Sequence, residues 1–265
     1  MYVMRVERRD GVSQLTLAHI TPTGTEELAV LEVASAPPHV PDVADFRLLA
    51  DGGSSVNHMP AICVIGSGGD IVLMPVDEEA SAPAEVVGSV DQGILAAAWS
   101  PEEDVLVLIT GGEKRLIVMT REFEVMSETM LSTEAFGDDQ PVNVGWGSKS
   151  TQFHGSEGKQ AAMAAANAPE ESDPRGPLVP EDDGLPRISW RGDGAFFVTS
   201  SAEASNDAVH RILRTYTRTG TLSATSDRSV RGISHVLACR PTGNLIATTQ
   251  RMGGPWAPGR HGRHD

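Results

Sequence analysis

Residues 144–160 read VGWGSKSTQFHGSEGKQ and contain several residue types that occur in catalytic and ligand-binding sites. This run crowds glycine, serine, threonine and lysine beside a histidine, and phosphate-binding loops and nucleophilic sites are built from these residue types. A phosphate-binding loop needs the spacing G-x-x-x-x-G-K-[ST], so that backbone N–H groups and the lysine wrap the phosphates. Lys149 has Asn143 where the first glycine belongs, and Lys159 has Phe153 there. The segment therefore does not fit a phosphate-binding loop.

Nucleophilic catalysis and metal binding are the other chemistries that these residue types could support. Ser148, Ser150 and His154 are close in the chain, but a serine nucleophile needs a histidine oriented by an acid, and the sequence has no G-x-S-x-G turn. The eight histidines form no H-x-x-x-H pair and have no cysteine at ligand spacing. The sequence therefore predicts no catalytic, cofactor-binding or metal-binding residue, and no cofactor.

Two other polar motifs resemble functional sites and have simpler interpretations. Gly66-Ser-Gly-Gly follows an apolar run as in a dinucleotide-binding turn, but Ile71 occupies the place of the third glycine and a strand follows instead of a helix. We interpret it as a hairpin turn. The acidic pairs Glu102–Glu103 and Asp182–Asp183 lie in predicted turns and loops, and we interpret both as solvated rather than as acid/base pairs.

Composition limits the class of protein. The 265 residues are 40% hydrophobic, which allows a packed core, and 27 glycines with 17 prolines favour many turns over long helices. The net charge of −15 argues against a main nucleic-acid-binding surface, which needs clustered Lys and Arg. The two cysteines, Cys63 and Cys239, lie in apolar runs and are expected to act as small hydrophobic residues.

Targeting signals are not evident in the sequence. The N-terminus has no apolar core of signal-peptide length, and no run approaches the ~20 apolar residues of a membrane helix. We therefore expect a soluble protein in the cytoplasm that makes no use of a membrane, with a nuclear pool left open.

Short apolar runs separated by Gly, Pro, Asp or Ser dominate the chain, and they predict strands rather than helices. Two segments share one form, a strand, a glycine turn and a strand: ICVIGSGGDIVLM at 62–74 and LVLITGGEKRLIVM at 106–119. Their turns begin at Gly66 and Gly111, which are 45 residues apart. This spacing is the first sign of a repeat.

A second pattern recurs: a strand ending in a large or apolar residue, a polar turn and an apolar strand. Its copies are at 97–110, 188–200 and 237–249. The ending residues Trp99 and Trp190 are 91 residues apart, and Cys239 follows 49 residues later. A period of about 40–45 residues with several short strands is typical of WD40-type propeller blades, since one small sheet cannot bury both faces alone. We predict an all-β, WD40-type β-propeller. A β-sandwich is the rival, but it need not repeat at this period.

The same patterns divide the chain. We assign residues 1–55 to an N-terminal blade region and residues 56–250 to the propeller blades. Within the blades, residues 147–185 form a predicted insertion loop, whose later part combines prolines with acidic residues. The glycine- and arginine-rich residues 251–265 are predicted to be a flexible basic tail or a truncation scar.

The segment that opened this section also carries a resemblance. Its pattern of Val-Gly-Trp-Gly, Lys, Thr-Gln-Phe and Gly-Ser-Glu-Gly resembles the family of the largest subunit of the Elongator complex, and the flanks at 88–111, 119–124, 188–200 and 239–250 are similar to that family's blades. The residues that carry the pattern are Val144, Gly145, Trp146, Gly147, Lys149, Thr151, Gln152, Phe153, Gly155, Ser156, Glu157 and Gly158. The resemblance covers roughly residues 60–250, and it makes the segment a family signature rather than an active site.

The resemblance implies a non-catalytic scaffold subunit that supports wobble-uridine modification of tRNA through protein–protein interactions. The expected partners are the other Elongator subunits, including a separate catalytic subunit that uses S-adenosylmethionine, iron–sulfur chemistry and acetyl-CoA. Contact with tRNA is expected only indirectly or through regions beyond residue 265. The resemblance places dimerisation in a C-terminal region that this sequence lacks.

The resemblance also implies a first propeller of about seven blades, of which about five can be counted here. An incomplete ring leaves strand edges unpaired, so we expect a fragment that is poorly soluble alone.

Two other function classes stay open. One is a WD40 interaction module of another assembly, which the 45-residue period alone would support. The other is an enzyme such as a propeller hydrolase, for which no set of polar channel residues is marked.

Overall fold

The computed structural model describes residues 1–49, 60–76, 83–131, 178, 180–205, 208–226 and 233–250. Within these ranges every regular element is a β-strand, and all strand pairs are antiparallel. No helix in the described ranges is long and apolar enough to span a membrane.

The strands of the described residues form five sheets in chain order. Sheet 1 contains β1 (Tyr2–Arg9), β2 (Val12–Thr21) and β3 (Gly24–Ala34). Sheet 2 contains β4 (Val43–Leu49), β5 (Ala61–Gly66), β6 (Asp70–Pro75) and β7 (Glu85–Ser89). Sheet 3 contains β8 (Ile94–Trp99), β9 (Val105–Thr110), β10 (Arg115–Thr120) and β11 (Val125–Met130). Sheet 4 contains β12 (Arg187–Trp190), β13 (Phe196–Ser205), β14 (Ala208–Thr217) and β15 (Leu222–Thr225). Sheet 5 contains β16 (Ile233–Cys239) and β17 (Ile246–Gln250).

Sheets 2 to 5 are arranged around their first strands. Within each sheet the strands pair in chain order, so each is a simple meander. The first strands β4, β8, β12 and β16 neighbour one another in turn, and the last strand of each sheet leads to the first strand of the next. First strands that converge while the sheets radiate outward are the geometry of propeller blades. The predicted all-β propeller architecture is confirmed.

Burial on both faces explains the continuous apolar runs. All six residues of β5 and all six of β9 are buried. On β5, Ile62 and Val64 pack with sheet 1, whereas Cys63 and Ile65 pack with sheet 3. Because successive side chains point to opposite faces of a sheet, a strand between two neighbours must be apolar at every position. β9 alternates in the same way between sheets 2 and 4.

The predicted repeat elements correspond to observed hairpins. Trp99, Trp190 and Cys239 each end the first strand of a sheet, as predicted, and they pair across the turn with Leu106, Phe197 and Ile246. The division that we placed between residues 55 and 56 has β4 before it and β5 after it, and these two strands pair in sheet 2. The predicted tail at 251–265 and the insertion up to residue 177 lie outside the described residues.

Candidate interaction faces

The predicted signature residues lie outside the part of the chain that the structure describes. These are Gly145, Trp146, Gly147, Lys149, Thr151, Gln152, Phe153, Gly155, Ser156, Glu157 and Gly158, and the catalytic candidates Ser148, Ser150 and His154 lie there too. The described chain leaves sheet 3 at Leu131, whose N–H donates to Lys114 O at 2.9 Å, and returns at Leu178. The structure therefore fixes where the insertion is anchored.

One end of the array is formed by the connections between sheets together with the second-to-third strand turns. We call it the glycine face and define it by residues 35–42, 66–69, 90–93 and 111–114. Backbone hydrogen bonds link these segments across sheets. Ser67 N–H donates to Asp42 O at 2.8 Å, Ile94 N–H to Ser67 O at 3.1 Å, and Gly111 N–H to Gly93 O at 3.0 Å.

Close backbone approach explains the glycines of this face. A Cβ on Gly68 would lie 2.0 Å from Ala34 O, and one on Gly111 would lie 2.2 Å from Gln92 O. Real Cβ atoms do not approach carbonyl oxygens so closely, so a side chain would force the turns apart. The interpretation of 66–69 as a hairpin turn is confirmed by the pairing of β5 with β6. The 45-residue repeat of glycine turns thus reflects packing between blades.

Sheet 4 differs from sheets 2 and 3, whose second and third strands are joined by short glycine turns. Its second-to-third strand hairpin, β13–β14, extends past the start of β12, since Arg187 pairs with Ser200 while β13 continues to Ser205. The hairpin carries two arginines, each 2% exposed: Arg211 in the extension, paired with Ala202, and Arg214 just before it, paired with Thr199. They point to opposite faces of the hairpin. This charged hairpin stands beside the return of the insertion.

Arg211 holds that return segment, residues 180–186. Its Nε donates to Asp182 Oδ2 at 2.5 Å and its Nη2 donates to Asp182 Oδ1 at 2.6 Å, and both side chains are fully buried. Nη2 also donates to Leu185 O at 2.9 Å. Burial by itself would raise the pKa of Asp182. The hydrogen bonds from Arg211 and from the Gly184 N–H, with the guanidinium charge, hold that pKa below its usual value.

The acidic pairs therefore differ from the prediction. The solvated interpretation is wrong for Asp182, because the segment folds over sheet 4 and Arg211 supplies a buried partner. Asp183 is 42% exposed and pairs with Arg187. Glu102 is 68% exposed, as predicted, whereas the side chain of Glu103 is 23% exposed. Arginines inside the apolar strand sequence AVHRILRTYT were the available signal for buried ion pairs.

The second arginine of the hairpin is held from within sheet 4. Arg214 pairs with Glu203 of β13, with Nη2 donating to Oε2 at 3.0 Å. The Glu203 side chain is 12% exposed. Beside the hairpin, Lys114 of sheet 3 donates from Nζ to Ala202 O at 2.9 Å. The base of the insertion is thus joined to sheets 3 and 4 by charged groups.

The opposite end of the array carries the first-to-second strand turns of sheets 3, 4 and 5 and the third-to-fourth strand turn of sheet 4, and arginines join them. We call it the arginine face and define it by the turns at 100–104, 191–195, 217–221 and 240–245. Arg47 of β4 donates from Nε to Glu103 Oε1 at 3.2 Å, which links sheet 2 to the first turn of sheet 3. Pairs of this partly exposed kind each contribute about 0.2–1 kcal/mol.

Two further arginines continue this series. Arg218 pairs with Asp104 and donates to Gly194 O at 3.1 Å, joining sheets 3 and 4. Arg191 donates to Asn244, which joins sheets 4 and 5. Its hydrogen bonds to Asp193, the Ala195 N–H and its charge lower the pKa of that carboxyl. These arginines therefore join neighbouring sheets through ion pairs and hydrogen bonds, and their role is structural.

The prediction that the cysteines act as small hydrophobic residues is confirmed for Cys63 and only in part for Cys239. Cys63 is fully buried in the core between sheets 2 and 3, and Cys239 is partly buried with its thiol donating to Ser189 O at 3.3 Å. Among the described residues, no group of three or more His, Cys, Asp or Glu could hold a metal ion.

Cys63 is expected to resist alkylation in the folded protein and to react after unfolding in urea. Burial, followed by the nearby Asp45 carboxylate, raises the pKa of the Cys63 thiol to about 12, and the thiolate is the reactive form. Iodoacetamide treatment at about pH 8, followed by peptide mass spectrometry, measures this. The partly exposed Cys239 is the internal comparison, and rapid modification of Cys63 without denaturant would contradict the described core.

Comparison of the sequence with known proteins shows the family of this chain. The family model described as "ELP1 first N-terminal beta-propeller" matches residues 6–254. Elongator complex protein 1 of Mus musculus is 40% identical over 190 residues, which cover 72% of this chain and 13% of that protein. The Drosophila melanogaster protein is 40% identical over 195 residues, covering 72% and 14%. The Saccharomyces cerevisiae protein is 33% identical over 209 residues, covering 69% and 15%.

Among solved structures, the C-terminal WD40 domain of Sif2 aligns with a TM-score of 0.48 and 14% identity, covering 94% of this chain and 51% of that chain. The assignment rests on the sequence matches, which confirm the resemblance carried by the signature segment. The chain spans only 13–15% of the length of these three relatives. It belongs to the family of the first N-terminal β-propeller of Elongator complex protein 1.

Proposed function

We propose that this chain is part of a non-catalytic scaffold subunit of Elongator, which supports wobble-uridine modification of tRNA through protein–protein interactions. The observation that carries the proposal is the family match over residues 6–254, together with relatives named Elongator complex protein 1. In the described sites, carboxylates are paired with arginines that join strands and turns. Such pairs support a rigid platform.

The charge of the chain favours protein partners over direct tRNA binding. A net charge of −15 opposes the counterion release that drives nucleic-acid binding. We propose that the propeller contacts other Elongator subunits and meets tRNA only through them or through other regions of the full-length subunit. The catalytic subunit is among the proposed partners. We place the assembly in the cytoplasm, with a nuclear pool that imaging of a tagged full-length protein would detect.

Affinity purification of the tagged full-length protein tests this proposal. The other Elongator subunits are expected to co-purify at moderate salt, and deletion of the gene is expected to abolish wobble-uridine modification. A version lacking residues 6–254 shows whether the propeller itself contributes, and we expect it to retain less of at least one subunit. Purification of an unrelated assembly instead would favour a WD40 interaction module of another complex.

A further inference from the structure

The outermost strand of sheet 3, β11, has one open edge. Within the described residues β11 pairs only with β10. The N–H of Leu131, the residue after β11, donates to Lys114 O just before β10. Because the backbone groups of an antiparallel strand point alternately to its two sides, those of Met130 and Glu128 point away from β10. β11 therefore presents two sets of N–H and C=O groups, two residues apart, to a further strand.

Apolar side chains along this edge are exposed. Val125 is 58% exposed, and Met126 and Met130 are each 46% exposed. Val125 pairs with Met119 of β10, which is 7% exposed in the core that sheet 3 shares with sheet 2. The apolar surface therefore continues outward from that core to the open edge.

Carboxylates accompany these apolar side chains. Glu128 pairs with Ile117 of β10, which packs in the same core, so the Glu128 side chain lies on the same face of sheet 3 as Val125. The Glu128 side chain is 43% exposed and its Oε1 lies 2.8 Å from Arg115 Nη1. Glu122 and Glu124 are exposed in the turn before β11. The strand and the four residues before it carry three carboxylates and one arginine, so the edge is acidic.

The other strands at the outer edges of sheets lack this combination. β15 of sheet 4 has four residues, of which Ala224 and Thr225 are buried. Among the described residues, β7 and β3 each carry one exposed large apolar side chain, Val86 and Val30. Edge strands of proteins are usually short or covered, because an open edge with apolar side chains recruits another strand. β11 is therefore the edge that is best suited to accept one.

We propose that β11 is a docking site for an extended segment of a partner protein, which adds to sheet 3 as a further strand. The backbone of that segment bonds to Glu128 and Met130. A basic side chain lies opposite Glu128, and apolar side chains two residues away on either side cover Met130 and Val125. Because alternate residues of a strand share a face, the segment has the pattern apolar-x-basic-x-apolar.

Charge favours a basic partner over occupants from this chain itself. A second copy would bring the carboxylates of two β11 strands together, in a chain whose net charge is −15. The sequence that follows β11, STEAFGDDQ at 132–140, carries three more carboxylates and no lysine or arginine. A segment with a lysine or arginine instead complements Glu128. The inference does not depend on the proposed role in Elongator, because the sequence pattern defines the partner.

A photo-cross-linking amino acid at position 130 of the tagged full-length protein, expressed in its own cells, tests the proposal. After irradiation, mass spectrometry should find position 130 joined to a peptide of another polypeptide that contains the apolar-x-basic-x-apolar pattern. The control places the same amino acid at Val30, which is 49% exposed on β3, and should not link to that peptide. Links only to this chain or a second copy of it, links to a peptide without the pattern, or no link at all would overturn the proposal.

A synthetic peptide of the linked sequence then tests the charge and the edge separately. Glu128→Lys in the full-length protein should weaken peptide binding about tenfold or more, because like charges then face each other, and changing the basic residue of the peptide to glutamate should restore it. Met130→Pro removes an edge N–H while leaving the ladder to β10 in place, and should also weaken binding. Glu32→Lys, at an exposed position on β3, should not change it. Unchanged affinity in Glu128→Lys or in Met130→Pro would contradict strand addition at β11.

Discussion

Replacing Arg211 with alanine is expected to lower the local free energy of unfolding of sheet 4 by about 3–5 kcal/mol, the typical effect of removing one partner of a buried ion pair. The substitution leaves the Asp182 carboxylate fully buried without its bidentate partner. It also removes the hydrogen bond to Leu185 O, so the return segment at 180–186 loses its main attachment to β14. Hydrogen exchange of β14 amides in the full-length protein measures the loss.

Two comparisons isolate the ion pair. The double variant Asp182→Leu with Arg211→Met removes both charges and should recover most of the lost stability, since an apolar pair of similar volume often replaces a buried ion pair. Arg115→Ala removes an exposed arginine paired with Glu113 and Glu128, and should lower stability far less than Arg211→Ala, because solvent screens exposed ion pairs. Equal effects for Arg211→Ala and Arg115→Ala would show that the buried pair does not hold sheet 4 together.

The same pair predicts the direction of acid sensitivity. Because the folded state holds the pKa of Asp182 below the ordinary carboxyl value of 3.8, the stability it contributes is fully present above that pH. It is lost as the pH falls through the lower folded-state pKa. Asp182→Asn, which cannot titrate, should remove this component of acid destabilisation, and hydrogen exchange of β14 at stepwise lower pH measures it. An unchanged acid dependence would contradict the assignment.

Replacing Gly69 with alanine is expected to destabilise the packing of sheets 2 and 3 by about 3 kcal/mol. The new Cβ would lie 2.1 Å from Val90 O, so the turn and the connection at 90–93 must separate, and overpacking of this kind typically costs about 1–3 kcal/mol. The φ of Gly69 is +121°, a region that disfavours side chains, and this adds about 1–2 kcal/mol. Hydrogen exchange of β6 and β8 amides in the full-length protein measures the combined effect.

Gly11→Ala is the matched control for the steric part of this effect. Gly11 also has a positive φ, +85°, but a Cβ there meets nothing within 4 Å. The control should therefore show only the backbone cost, and its effect should remain in the turn between β1 and β2. If the two alanine variants lose equal stability, the close approach of the turns does not explain the glycine of the repeat.

Local pattern was sufficient to predict the strands and their repeat. The apolar runs at 61–66 and 105–110 were recognisable because strands buried on both faces need apolar side chains at every position. The turns after Trp99 and Trp190 were recognisable because polar residues interrupt those runs. The family was predicted from the signature segment at 144–158, whose structure lies outside the described residues.

Other features depended on segments that are distant in the chain. Asp182 lies in a Pro- and Asp-rich stretch that reads as solvated, and only the fold over sheet 4 brings it to Arg211, 29 residues away. Phe46 and Leu48 are ordinary strand residues in the sequence, and only the packing of the sheets shows that they are 36% and 45% exposed. The glycines at 66–69 suggested a turn, but not which backbone would contact them.

By itself, the sequence determined the all-β class, the blade period and the family, since these depend on side-chain alternation, turn residues and a contiguous motif. The tertiary structure decided which charges are buried, which glycines cannot accept a side chain and which apolar side chains stay exposed. The physical reason is that burial and close approach are properties of pairs of segments. The sequence does not show whether a carboxylate contacts water or a buried guanidinium. Only the packing of one sheet against another distinguishes these two environments.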